Sequence, residues 1–206
     1  SVSTVIEVNA DGGAKINTQC TLKGDGRDNL LMRFHDLKED ERKKYFITQK
    51  RWKQPDLFEI SASPGKSNPY VVNAKMNYEK IYSFKAGSKL FFEPRLYPIF
   101  DEEIPVYEKR MRDYYFTCPY QSFDTTIYKF PAGYTLETMP KNKSVIKPFV
   151  QYASTYTWDA NTSTLTSIST LQIKERVIKA TDYTTLSDFN KQVKADMNEK
   201  IVMMKQ

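Results

Sequence analysis

The chain has 206 residues and a mass of 24.0 kDa, enough for one or two domains with a real hydrophobic core. Hydrophobic residues at 40% and charged residues at 27% describe a globular protein and exclude a disordered or fibrous one. A net charge of +6 would suit an anionic partner. However, 25 acids are interspersed among 31 bases with no long block of one sign, so a mixed, solvated surface is expected.

Period-two alternation dominates the first half. A strand over 5–8, the turn Asp11-Gly12-Gly13 and a strand over 14–22 read as a hairpin, with Ile16, Thr18, Cys20 and Leu22 on one face. The run GDGR at 24–27 reads as a turn. Asp36 with Glu39 three residues on has capping-box spacing, which predicts a helix over about 36–50 with its bases (Arg42, Lys43, Lys44, Lys50) late. Strands follow over 56–62, 69–82 and 89–94, punctuated by Pro and Gly. The charged, proline-bearing stretch 101–113 reads as the link between two halves.

The second half repeats the theme, with strands over 123–130, 134–139, 149–158, 164–178 and 201–205. In FPAGYTLETMP, 130–140, Pro131 and Gly133 make a turn, Tyr134 starts a strand and Pro140 ends it. The turn 159–163 closes a hairpin. Leu186, Phe189, Val193 and Met197 recur at helical spacing and predict a helix over about 185–199 with one stripe against a sheet. The expected fold is mainly β: two β-sandwich-like domains of antiparallel strands, 1–105 and 106–206, each with about one α-helix.

Three runs then form a family pattern: PYQSFDTTIYKFPAGYTLETMPK at 119–141, PFVQYASTYTW at 148–158 and TDYTTLSDFNKQVKADMNEKIVMMK at 181–205. They resemble the C-terminal all-β region, an uncharacterised domain family, of bacterial transglutaminase-like and protease-like proteins. The first half, with DGGAKINTQCTLKGDGRDNLLMRF at 11–34 and LFFEP at 90–94, is similar to the stretch between catalytic core and terminus in such proteins. The resemblance implies a parent enzyme of the cell envelope, periplasmic or associated with the outer membrane. It also implies a transglutaminase-like domain as partner.

The chemistry of that parent finds no parts here. A papain-like site needs a Cys nucleophile, a His base and a group orienting the His. His35 is the single histidine, Cys20 lies mid-strand, and Cys118 precedes Pro119. Neither cysteine has a Cys or His at metal-ligand spacing, and their separation leaves a mutual disulfide open. Asp101, Glu102 and Glu103 are consecutive and read as solvated linker rather than a paired acid and base. There is no P-loop, dinucleotide fingerprint or EF-hand. No catalytic residue, metal or cofactor is expected.

Aromatic side chains are the remaining binding idea. Val150, Tyr152, Ser154, Tyr156 and Trp158 project to one side of their strand, so Tyr152, Tyr156 and Trp158 would stack sugar rings if exposed and would form a core face if not. Bases near Tyr45 and Trp52, and again at 141–147, lack a nucleic-acid motif and read as long stems covering apolar surface. No apolar run approaches the ~20 residues that cross a bilayer, and SVSTVIEV has neither region of a signal peptide. The expected function is a non-catalytic accessory region that scaffolds a catalytic domain or binds a peptide or glycan. The alternatives are an independent carbohydrate-binding module and an enzyme of unknown type.

Overall fold

The computed structural model describes residues 1–49, 52–62, 68–107 and 110–206. In chain order, β1 (Val2–Val8) and β2 (Ala14–Leu22) form a hairpin, and α1 (Gly24–Phe34) and α2 (Glu39–Gln49) follow. Next come β3 (Leu57–Ala62), β4 (Tyr70–Tyr78), β5 (Phe84–Ala86), β6 (Lys89–Phe92) and the short β7 (Tyr114–Tyr115). The later chain supplies β8 (Tyr120–Lys129), β9 (Tyr134–Thr138), β10 (Lys143–Ile146), β11 (Val150–Asp159), β12 (Thr164–Ile173) and β13 (Val177–Ile178). A 3-10 turn leads into α3 (Tyr183–Met197), and β14 (Ile201–Lys205) follows. With 44% strand, 20% helix and no barrel, the chain is mainly β, as expected.

Eight strands make the principal sheet, in the order β10-β11-β12-β8-β1-β2-β4-β3. Its pairings are antiparallel except at the centre, where β1 and β8 run parallel with Val2 opposite Asp124, Thr4 opposite Thr126 and Ile6 opposite Tyr128. The sheet therefore takes four strands from each side of the 105/106 position. A four-stranded sheet, β5-β6-β14-β9, takes two from each side, joined where β6 pairs with β14. The smallest sheet joins β13 to β7.

Alternation explains which face is covered. On β2, β8, β11 and β12 alternate residues are buried or partly buried, so each of these strands has one inward face. At the β3–β4 end, Leu30 and Phe34 of α1 and Phe46 of α2 cover that face, with Phe34 edge-on to Tyr45, Phe46 and Tyr70. The four-stranded sheet covers the middle through Phe92, which contacts Tyr128 and Phe130. At the β10–β12 end, Leu186, Phe189 and Val193 of α3 pack with Val145, Tyr152 and Leu171. The apolar stripe expected on α3 is thus the stripe that docks.

Turn chemistry fixes two connections. In the β1–β2 turn, Asn9 N–H donates to Gly13 O and Gly13 N–H donates to the Asp11 carboxylate. A Cβ on Gly13 would come 2.8 Å from Tyr78 O, so only glycine lets the turn lie against β4. Before β9, Gly133 has φ +89° and its carbonyl accepts from Gln206 N–H at 2.8 Å, tying the turn to the residue after β14.

Two helical expectations change. Residues 24–27 are the first turn of α1, not a free turn. Gly, Asp and Asn are weak helix formers, but burial of Leu30 and Phe34, one turn apart, overrides them. The second helix starts at Glu39 rather than Asp36. Lys38 N–H donates to the Glu41 carboxylate at 2.8 Å, so the reach-back half of a capping box lies two residues later than read. No base lies in the last turn of α2, and Lys50 falls outside the described residues.

The described parts of the 101–113 segment, 101–107 and 110–113, are held in place; residues 108 and 109 lie outside the described residues. Phe100 and Ile104 are buried, Tyr183 Oη donates to Pro105 O at 2.6 Å, and Asp113 accepts from Ala180 N–H and Lys179 Nζ. Those two donors hold the Asp113 carboxyl below the usual carboxylate range. Arg110 lies over the rings of Tyr107, Tyr114 and Tyr183.

Candidate functional site

Strand register builds a polar belt into the sheet's inward face. One cross-strand row reads Ser154, Ser169, Asp124, Val2, Cys20; the next reads Tyr156, Ser167, Thr126, Thr4, Thr18. All the polar members of these rows are buried. Thr4 and Thr18 hydrogen-bond each other at 3.0 Å, and Thr126 Oγ1 donates to Asp124 Oδ1 at 3.0 Å. The belt runs between the two apolar clusters, one on α1, α2 and the four-stranded sheet, the other on α3.

Small hydroxyl residues leave room for two long side chains from the opposite layer. Arg95, just after β6, and Asp196, on the last turn of α3, are 5% and 0% exposed. They form an ion pair at 3.5 Å. Arg95 also donates to Tyr156 Oη at 2.7 Å, while Tyr156 and Tyr152 both donate to Asp196 Oδ2, at 3.1 and 2.5 Å. Burial works to lower the Arg95 pKa, but Tyr152, Tyr156, Asp196 and Asp124 outweigh it, so Arg95 stays charged. This cluster clamps α3 to the sheet across the gap between the apolar clusters.

Beside the belt lies a cavity of about 330 Å³. The sheet contributes Cys20, Tyr120, Ser122 and Asp124 to its wall. The α2–β3 connection contributes Trp52, and the segment after β6 contributes Tyr97, Asp101 and Glu102. Trp52 and Tyr97 pack with centroids 5.9 Å apart. Asp124 is 4% exposed, and burial pushes its carboxyl up to about 6 despite the opposing Thr126 hydrogen bond, Arg95 and the terminal amino group. Burial likewise pushes the Tyr97 and Tyr120 phenols up, so both are neutral donors.

The residues singled out from the sequence do not converge on this wall as a set. Tyr152 and Tyr156 lie in the interior, bound to Asp196, and Trp158 is partly buried against Phe130. Their strand face is therefore a core face rather than an exposed stacking platform. His35 is exposed and hydrogen-bonded to Asp36, and neither lines the cavity. Cys20 is in the interior of β2, Cys118 lies before β8, and no disulfide joins them.

The basic clusters dissolve into local contacts. Arg42 donates to Phe34 O, Lys53 donates to Asn77 O and lies over Tyr78, and Trp52 is buried. Residues 143–146 of the second cluster form the edge strand β10. Lys50 and Arg51 lie outside the described residues.

Asp124, Arg95 and Asp196 escaped the sequence reading. Asp124 was legible as the one carboxylate on the inward alternation Tyr120, Ser122, Asp124, Thr126, Tyr128. Asp196 sits three residues after Val193, beside the stripe already drawn, while Arg95 lies on an irregular segment with no period to betray it. Among the described residues no group of His, Cys, Asp and Glu is placed to hold a metal ion, and no helix is long and apolar enough to cross a membrane.

Sheet order, belt and cavity define a mainly β protein whose polar interior is shared by strands from both halves of the sequence. The chain belongs to the family described as a Domain of Unknown Function with solved-structure structure (DUF3858), whose model matches residues 88–203. The match begins one residue before β6 and ends within β14, the strand that pairs with it. No curated protein and no solved structure matches the chain.

Proposed function

We propose that the chain is the non-catalytic accessory region of a bacterial envelope protein of transglutaminase-like or protease-like type. In this reading it scaffolds the catalytic domain of its parent polypeptide and engages a peptide or glycan partner. The carrying observation is that the Cys20 thiol is buried while the single imidazole is exposed and bound to a carboxylate. Cys20 faces the interior of β2, while His35 is exposed at the end of α1 and bound to Asp36. Thiol catalysis needs the base within hydrogen-bond reach of the sulfur. The buried Arg95–Asp196 cluster supports the same reading, because the hydrogen bonds it makes through Tyr152 and Tyr156 fix α3 to the sheet. The sequence resemblance alone supplies the parent's class; the matched family is an uncharacterised domain family.

A carbohydrate-binding module built on Tyr152, Tyr156 and Trp158 draws no support from the interior placement of its first two rings.

Incubation of the purified chain with a glutamine-containing peptide and a fluorescent amine, and separately with casein, tests the reading. The expected result is no turnover above that of Cys20→Ala and Cys118→Ala. Turnover that either substitution abolishes would contradict it. In the parent polypeptide, deletion of this region is expected to lower the melting temperature or the kcat/KM of the catalytic domain. Unchanged values would contradict scaffolding.

A further inference from the structure

We propose that the cavity at the β1–β8 seam binds a primary alkylammonium group, with its carbon stem along Trp52 and Tyr97 and its charge against Asp124 and the rim carboxylates of Asp101 and Glu102. This does not depend on the accessory role and would hold for an isolated domain.

The charge balance of the wall carries the inference. Among the described residues, three carboxylates contribute to it and no Lys or Arg side chain does; the amino group of Ser1 also lies there and donates to Thr21 O. A wall of this sign on a chain of net charge +6 is a local inversion of the field, which focuses cations. Asp124 is the recognition element because it is buried at the end of the wall next to the belt. Thr126 donates to one of its oxygens, and the carboxyl lines the cavity. Burial outweighs the Thr126 hydrogen bond, Arg95 and the terminal amino group, which all favour the ionised carboxylate, so a further cation is stabilising there.

The remaining features select the ligand's shape. Trp52 and Tyr97 supply π-faces for an alkyl stem and for the adjoining charge. Ser122 and the neutral phenol of Tyr120 can hydrogen-bond polar atoms of the ligand. The volume of about 330 Å³ admits a stem of a few carbons rather than a folded partner. A lysine side chain and a free diamine share this chemistry.

Trp52 provides a reporter in the wall, because Trp158→Phe leaves it as the sole tryptophan. In that background, tryptophan fluorescence is followed on titration with Nα-acetyl-lysine methylamide, with cadaverine, and with the neutral Nα-acetyl-norleucine methylamide. The expected result is saturable binding of at least one ammonium probe and none of the norleucine analogue; which ammonium binds decides between a peptide side chain and a free amine. Asp124→Asn is expected to weaken the ammonium by about tenfold or more, the loss of one charge-assisted hydrogen bond. Should that variant fold poorly, the rim variant Asp101→Asn/Glu102→Gln is expected to weaken binding several-fold. Equal binding of norleucine, no saturable binding by either ammonium, or unchanged affinity in the folded carboxylate variants would overturn the proposal.

Discussion

Well below pH 3.8 the Asp124 carboxyl is neutral in both the folded and the unfolded chain, and its burial between Thr126 and the cavity carries no charge penalty. As pH rises, the unfolded carboxylate ionises near 3.8, while the folded one holds its proton to about 6. The unfolded chain therefore binds fewer protons across that window, and folding stability falls as pH rises through it, by up to about 3 kcal/mol from this group alone. Asp124→Asn keeps the shape and removes the titration. Urea unfolding of both proteins at pH 4 and pH 7 should show the variant gaining on the parent chain at the higher pH. A stability difference independent of pH would contradict the burial assigned to this carboxyl. Groups such as Asp113 and Asp159, whose carboxyls are held low by hydrogen bonds at the surface, titrate in both proteins and cancel in the comparison.

Elements are where local preference and tertiary packing part company. The strand 14–22 matches the expected bounds residue for residue, because alternation with one buried face leaves little freedom of register; 201–205 matches as well, as a strand with Ile201, Val202 and Met203 all buried. Helix α1 was hidden. Its first turn carries two glycines and an aspartate, and the residues that justify it, Leu30 and Phe34, find their partners on α2 and β4. Phe34 is 2% exposed, so Phe34→Ala should cost about 3–5 kcal/mol in urea or thermal unfolding. A loss below about 1 kcal/mol would mean that α1 is not docked as described. The same contrast explains the site. The inward face of β11 was readable as a single-sided row, but whether that side met water or protein depended on α3, which lies far along the chain. The cavity was illegible for a similar reason: Trp52, Tyr97 and Asp124 come from three separate segments, and no spacing rule links them.

At the scale of the whole molecule, the parallel pairing of β1 with β8 is the decisive junction. It places a strand from the start of the sequence at the centre of a sheet whose other half begins at Tyr120. The sheet wall of the cavity and both rows of the belt cross that seam, since Asp124 faces Val2 and Thr126 faces Thr4 across it. A parallel pair of this kind closes a long loop and is stabilised only when both flanking sheets are complete. Residues 1–105 alone would expose the edge of β1, and residues 106–206 alone would expose the edge of β8 and leave β14 without β6. The most direct measurement is therefore urea unfolding of the intact chain beside the two fragments 1–105 and 106–206, followed by circular dichroism. One cooperative transition is expected for the intact chain, with no matching transition in either fragment. Two fragments that each unfold cooperatively, with midpoints equal to those of the intact chain, would contradict it.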